Sequence, residues 1–486
     1  MVDRDPRDIA RIADLEVEVA TKDLLIGKLE AQVSRVGDLE RKVEELTKLV
    51  MKLQEELGRN SGNSNMPPSS DSPSERAERR GGAKSKRKRG GQPGHSGSSR
   101  GLVPPEQVSE FVHLFPSNCE DCRAALPETP DPEAQRFQVT ELEVKRRVTE
   151  YQRHGVVCPC CANKNWAPAD EVPSSPFGPR LSSVVGLITG VYHLSRRVAV
   201  DLFADVLGVD ISLGGISGIE ARVSEAVKPA VDEVSKKVEQ APVKHTDGTS
   251  WFQSGVLCSL WTIATTAATL FKITVNGQKD TLAPLFGALV GILVSDRATA
   301  LTFWAMERRQ ICWAHLLRKF IWFSERGGPA GALGRELLDY LAIMFTYWDQ
   351  LRAGTMSRDQ FRTLMAPLRK QVEAALARGR DAGLPHVSGS CEDILDHKAA
   401  LWTFVDRDDV DPTNNHAERE LRAFVLWRKR SFGTQSVRGN EFAERLMTVA
   451  HTARKQNKNV LAFLTACCTA ALNGEAAPSL FESAAA

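Results

Sequence analysis

The sequence predicts a multidomain α/β protein, and three observations predict it. An apolar stripe at steps of three and four opens the chain, two Cys-x-x-Cys pairs follow a polar, basic stretch, and from residue 243 β-rich segments give way to alternating strands and helices. At 486 residues, with roughly 150 residues per domain, several domains are expected. The net charge of +2 confines nucleic-acid binding to local basic patches. Ten cysteines in so long a chain do not suggest a disulfide scaffold; their clustering suggests metal and a reducing compartment. The charged N-terminus lacks a signal peptide, and the longest apolar runs, near 282–294, are too short to span a bilayer. The expectation is a soluble intracellular protein, cytoplasmic and without a membrane partner.

Residues 1–57 are expected to form a coiled coil. Leu29, Val36, Leu39, Val43, Leu46, Val50, Leu53 and Leu57 make the seam, and Ile12, Leu15, Val19, Ile26, Leu29 and Val33 follow the same rule in a shifted phase. Val and Leu alternating over 36–53 favour a parallel pair, hence a homo-oligomer. Residues 58–105 read as a disordered basic linker, poor in large apolar side chains. Arg76, Arg79, Arg80, Lys84, Lys86, Arg87, Lys88 and Arg89 give it a tract suited to the phosphate backbone, or to a plain solvated linker.

Residues 106–172 are a small cysteine module. Cys119/Cys122 and Cys158/Cys161 can point four thiolates at one tetrahedral Zn²⁺, with Cys160 competing inside the second pair. Residues 173–241 read as a helical region in which Ser195–Leu207, a Gly208–Asp210 turn and Ser212–Val223 have a helix-turn-helix layout, a weak signal for DNA reading. Residues 242–460 begin with strands Val243–Trp251, Gly255–Thr266 and Thr269–Val275. A helix (Thr281–Leu289), a strand ending at Asp296, a helix (Thr299–Glu307) and a short strand (Arg309–Trp313) follow. Three antiparallel strands leading into alternating elements suggest a ribonuclease-H-like sheet, with a helical insertion about 324–405. Residues 461–486 are a C-terminal helix and tail.

Three acids on separate elements carry the chemistry. Asp296 ends an apolar strand, where open α/β sheets place ligands, although it could instead cap the next helix. Asp247 interrupts a strand, and Glu418 lies in Asn414–Arg422. Asp280, Glu420 and Glu444 read as an N-cap and two helix-surface acids. Three such carboxylates match a site holding two divalent cations against a phosphodiester.

Several strings resemble those of the insertion-sequence 66 family of transposases: Asn60–Asp71, Gly90–Gly97, Ile311–Phe320 around Cys312–Trp313–Ala314–His315, and Asn414–Arg419 with Arg428, Lys429 and Gly433 beyond. The resemblance runs nearly the whole chain. It implies an Asp-Asp-Glu transposase with a catalytic, metal-binding triad of Asp247, Asp296 and Glu418, two Mg²⁺ or Mn²⁺ ions per active site, and one structural Zn²⁺. It also implies double-stranded DNA partners, both transposon ends and target, and a nucleoid-associated location, and it leaves room for helper proteins of the same element. His315, Arg419, Arg422, Arg428 and Lys429 are the expected DNA-phosphate contacts near the site. Two departures stand out. The family usually runs Asp-Glu-Thr where this chain has Asp247–Gly248–Thr249, and the segment before Asn414 is altered. The alternative is a catalytically inactive, transposase-derived DNA-binding regulatory protein.

Overall fold

The computed structural model describes residues 6–57, 59–64, 71–72, 74, 101–132, 134–169 and 172–481. The basic tract of residues 76–89 and the Gly90–Gly97 string lie outside them. Along the chain come α1 (Pro6–Leu57), β1 (Gly155–Val157), β2 (Lys164–Trp166), α2 (Pro179–Gly186), α3 (Arg196–Leu207), α4 (Leu213–Ala226) and α5 (Lys228–Gln240). Then follow β3 (Val243–Gln253), β4 (Val256–Ala264), β5 (Thr269–Thr274), α6 (Lys279–Phe286), β6 (Ile292–Ser295) and β7 (Arg309–Ile311). The helices α7 (Trp313–Ser324), α8 (Gly328–Arg352), α9 (Arg358–Asp381), α10 (Val387–Asp396), α11 (Thr403–Asp406), α12 (Asn415–Ser431), α13 (Val437–Lys455) and α14 (Val460–Asn473) complete it. The chain is thus a multidomain α/β protein. Strands β3–β7 are ordered β5-β4-β3-β6-β7, and β1-β2 form a separate two-stranded sheet. No described helix is long and apolar enough to cross a membrane.

Two compact units result. One comprises Arg80–Leu293, Thr299–Phe303 and Asn415–Ala486. Its β3–β4 hairpin closes through Ser254 and Gly255, both at positive φ (50° and 79°), the two-residue turn that suits twisted strands. His245 pairs with Ala264 and Gln253 with Val256, antiparallel, and Ser259–Ala264 pair with Thr274–Thr269. Because strand residues two apart share a face, Trp251 lies on the same face as His245, and β4 and β5 add Cys258, Leu260 and Phe271. Helix α12 covers that face with Leu421, Phe424 and Trp427, and α13 adds Ala443 and Met447. Side chains of this size each gain about 1.5–3 kcal/mol on burial. Before β6, Gly291 has φ 84° and its Cβ would lie 2.2 Å from the Pro242 carbonyl oxygen, so only glycine fits there.

In the same unit, α3 starts on the Ser195 side chain, which accepts from Val198 N–H, and ends at Gly208 with φ 60°. Ser212 caps α4 in the same way. The turn expected for a helix-turn-helix is present. However, α4 buries Ile216, Ile219, Glu220 and Val223, so much of the helix that would read a groove faces the core.

The other unit comprises Met1–Arg79, Val294–Ala298 and Trp304–Asn414. Here α8–α10 occupy most of the span expected as an insertion. They pack closely where α8 meets the end of α7: a Cβ on Gly334 would lie 2.2 Å from Ser324 N. Trp348, Phe361 and Phe404 meet at centroid distances of 5.6–6.1 Å, and Ser357 with Gln360 forms a capping box on α9. Along the described part of α1, Leu29, Val36, Leu39, Val43, Leu46 and Val50 are all at least half exposed.

Three expectations change. The helix expected at Thr299–Glu307 is two 3₁₀ turns, Thr299–Leu301 and Met306–Arg308. The Trp304 indole N–H donates to Arg308 O at 3.0 Å, and the Arg308 guanidinium lies over the same ring. Asp280 falls in the first turn of α6, whose N-cap is Gln278. Within the linker expected to be disordered, residues 59–64 and Asp71 form a hydrogen-bonded knot. The Ser61 N–H and hydroxyl donate to the two Asp71 carboxylate oxygens at 2.7 and 2.8 Å. Asn60 Oδ1 accepts from Gly62 N–H, and Asn63 Nδ2 donates to Glu325 at 2.8 Å. Short polar side chains that satisfy neighbouring backbone groups order a turn without apolar burial.

Candidate active site

Asp247 lies on β3 opposite Thr262 and is half-buried. It shares a strand face with His245, Thr249 and Trp251, the face covered by α12: the His245 and His416 rings lie 5.0 Å apart, and Trp251 packs on Phe424 and Trp427. Glu418 sits in the first turn of α12, also half-buried, where the helix dipole favours a negative charge. Asp247 thus faces the helix that bears Glu418. Its Oδ1 accepts from Gly248 N–H at 2.9 Å, which fixes the carboxylate.

Gly248 has a packing reason. It pairs with Trp261, and a Cβ at position 248 would lie 2.9–3.0 Å from three atoms of that indole. The ring, 7% exposed, occupies the space where a longer residue would begin. The departure from Asp-Glu-Thr is therefore coupled to a tryptophan on the next strand.

Two residues past Glu418, Glu420 departs from the surface position expected of it: its side chain is 13% exposed. Lys455 Nζ lies 2.9 Å from Glu420 Oε1 and 2.9 Å from His416 Nε2. His451 Nδ1 bonds the other carboxylate oxygen. Burial works to raise the Glu420 carboxyl. His416 and His451 at its oxygens and the Lys455 charge outweigh that and hold it well below the usual carboxylate range. The cluster ties α12 to α13. Glu444, the other expected surface acid, is also largely buried.

Asp296 follows β6 in the other unit, half-buried. Its Oδ1 accepts from Ala298 N–H at 2.9 Å, so part of the capping role weighed for it is real. Behind it Arg309 is fully buried, donating through Nη2 to Ser295 Oγ at 3.1 Å and to the Asp296 carbonyl at 3.0 Å. Arg297 pairs with Asp393. His315, expected at a phosphate, is instead 9% exposed, and burial, then Arg318 and Arg297, push its pKa down to about 3. A neutral, buried imidazole lacks the charge that role needs. It approaches Cys312 within 4.8 Å, and the Cys312 sulfur accepts from Asn414 N–H at 3.0 Å.

Of the other expected phosphate contacts, Arg419, Arg422 and Lys429 are exposed on α12. Arg428 is not available in the same way: Nη1 donates to Thr249 Oγ1 at 2.9 Å and also bonds Ser250. It ties α12 to β3.

The cysteine module forms two matching knuckles. Cys119 N–H donates to Ala124 O and Arg123 N–H to Cys119 O; Cys158 N–H donates to Asn163 O and Ala162 N–H to Cys158 O. Arg123 and Ala162 take φ near 60°. Backbone N–H groups of Cys122 and Asp121 lower the Cys119 thiol pKa, and those of Cys161 and Cys160 do the same for Cys158. Cys160 therefore stands where Asp121 stands, and Cys161 where Cys122 stands. Among the described residues no three of these thiols lie within 4.8 Å of one another. Most of residues 101–169 is exposed, which leaves little apolar burial to join them.

Sequence reasoning missed the Glu420 cluster, whose one signal was His416 and Glu420 four apart on a helix. It also missed Arg309, which no local pattern marks.

Comparison with known families gives two matches. The model described as Transposase IS66 family matches residues 175–442, and one described as Family of unknown function (DUF6444) matches residues 5–101. No curated protein matches.

Proposed function

This chain belongs to the IS66 family of transposases, and on that premise we propose a DNA transposase in which Asp247, Asp296 and Glu418 are the catalytic, metal-binding acids. The observation that carries this reading is the placement of Asp247 on the face of β3 covered by the helix bearing Glu418. All three acids lie within the matched residues. The strand order β5-β4-β3-β6-β7, with β3–β5 antiparallel, supports a ribonuclease-H-like core.

Mg²⁺ and Mn²⁺ suit this reading because each of the three acids is a half-buried carboxylate, the hard oxygen ligand such ions take, and Asp247 and Asp296 each have one oxygen oriented by a backbone N–H. A bound pair of dications supplies the charge that activates water and stabilises the leaving oxygen of a phosphodiester. The chain's own part is positioning. Arg309 fixes the backbone at Asp296, the Glu420 cluster and Arg428 fix α12, and Arg419, Arg422 and Lys429 offer phosphate contacts. Cutting at the element's ends frees a 3′-hydroxyl, which the same site directs at target DNA.

Four further roles complete the proposal. One Zn²⁺ is held by Cys119, Cys122, Cys158 and Cys161, in keeping with the lowered first thiol of each knuckle. Two copies pair through the exposed stripe of α1. The basic tract of residues 76–89 binds the DNA backbone. The protein works in the cytoplasm on nucleoid DNA. Trp261 accounts for glycine at position 248 in packing terms, while the acid the family usually carries there is absent, so the regulatory alternative is decided by the test below.

The test is incubation of purified protein with DNA carrying the element's ends, with and without Mg²⁺ or Mn²⁺. Metal-dependent nicks with 3′-hydroxyl ends, followed by joining to a target plasmid, are expected. Binding without any cut under all metal conditions would support the regulatory protein instead.

A further inference from the structure

Past the last residue of α12 the chain does something that its own packing does not explain. Phe432 follows the helix with φ 56°, its N–H donating to Arg428 O at 2.9 Å. Glycine is the usual residue at this left-handed position, because a side chain there crowds the backbone. A phenylalanine in its place is 76% exposed. It therefore incurs both a strained backbone and a wet aromatic ring, and buries little in return.

The backbone beside it is nevertheless held in place. Gly433 follows at φ 92°, so close to β3 that a Cβ would lie 2.1 Å from the Phe252 carbonyl oxygen. Thr434 N–H donates to Phe252 O at 2.9 Å, and Ser254 N–H donates to Thr434 O at 2.8 Å. These bonds strap the segment to the tip of the β3–β4 hairpin. Just past the turn, Val256, on the face of β4 that α12 covers, is 66% exposed. An exposed aromatic ring on a strapped backbone is a candidate interaction site.

Charge selects the partner. From Leu421 to Asn440 the sequence carries Arg422, Arg428, Lys429, Arg430 and Arg438 and no Asp or Glu, in a chain whose net charge is only +2. Lys429 and Arg430, beside Phe432, are exposed. An aromatic ring flanked by cations and free of acids suits the bases and phosphates of a nucleic acid. At 1.5 Å per residue, Phe432 lies about 20 Å along α12 from Glu418, roughly the rise of six base pairs.

We propose that Phe432, on a segment strapped to the β3–β4 hairpin and flanked by Lys429 and Arg430, contacts unstacked bases of the bound DNA, away from the phosphate being cut. The proposal rests on the transposase reading and adds a base-contacting element to it.

Full-length protein is tested as Phe432→Gly, Phe432→Trp and Lys429→Ala/Arg430→Ala on a duplex carrying the element's end. Permanganate reactivity reports unstacked thymines. Parent and Phe432→Trp should each make at least one thymine hyperreactive. Phe432→Gly should lose that signal and bind about ten-fold more weakly, yet melt no lower than the parent, since glycine relieves the backbone. Its dependence of log K on log salt should keep the parent slope. The double alanine variant should flatten that slope by up to about two units. Phe432→Gly with parental affinity and thymine reactivity would overturn the proposal while leaving the transposase reading intact. Loss of self-association in Phe432→Gly, with DNA contacts unchanged, would assign the patch to a protein partner instead. A parent that binds no DNA would overturn both readings.

Discussion

Glu444 gives the fold a pH dependence of its own. One carboxylate oxygen accepts from Ile273 N–H at 2.6 Å, and Lys272 is 3.9 Å away. Burial nevertheless pushes its pKa up to about 7, with Lys272 and the Ile273 N–H opposing. An unfolded glutamate titrates near 4.3. Between these values the folded state holds a proton that the unfolded state releases. The stability from this group is therefore complete at low pH and lost as pH rises through about 7. At about 1.4 kcal/mol per unit, the fall is on the order of 4 kcal/mol. Urea midpoints of the parent should decline over that window relative to Glu444→Gln, whereas parallel profiles would contradict the assignment. Glu420 behaves in the opposite way, staying ionised to hold Lys455. Removing the charge in Glu420→Gln leaves a buried cation uncompensated, and stability should drop by about 3 kcal/mol. A loss within about 0.5 kcal/mol in urea titration would return Glu420 to an ordinary surface position. At this scale Asp247 and Asp296 stood out as candidates because each broke a local pattern, one inside a strand and one at the end of an apolar run, whereas Glu418 was marked only by the string around it. Gly248 was visible as a departure, but its cause was not. Trp261 is thirteen residues away in sequence and adjacent only through the β3–β4 register.

Elements were most legible where periodicity was strong. The three strands between residues 243 and 275 could be read from β-rich runs, and α1 from its apolar stripe at steps of three and four. The 3₁₀ turns at 299–308 were not, because helix-like composition there is overridden by Trp304 closing onto Arg308. The knot at 59–64 escaped because side-chain-to-backbone bonds leave no apolar signature. For α1, 52 residues long with its stripe exposed, a fragment spanning 9–57 should be helical and dimeric, with melting that shifts with concentration. Sedimentation as a monomer would count against pairing. For the cysteine module, the purified protein should carry one tightly held zinc per chain. Cys119→Ser or Cys158→Ser should release it and open residues 106–172 to protease, because metal binding supplies much of the folding free energy of so small a module. A zinc-free yet protease-resistant module would rule this out.

For the whole molecule, the family match covers residues 175–442 and with it every element that carries a proposed catalytic acid. The multidomain α/β architecture could be anticipated from composition shifts along the chain, but the positioning groups behind the acids could not. Arg309 and the Glu420 cluster are made by contacts between segments distant in sequence. The central claim is that Asp247, Asp296 and Glu418 together carry metal-dependent DNA cleavage. Its most direct test is the single-turnover cleavage rate of Asp247→Asn, Asp296→Asn and Glu418→Gln, each nearly isosteric, beside Asp280→Asn as control. Each triad variant should keep its fold and DNA binding while cutting falls by at least about a thousand-fold, with Mn²⁺ restoring more than Mg²⁺ because Mg²⁺ is stricter about geometry. Asp280→Asn should cut like the parent. Parental cleavage by any of the three, or an equal loss in Asp280→Asn, would contradict the account.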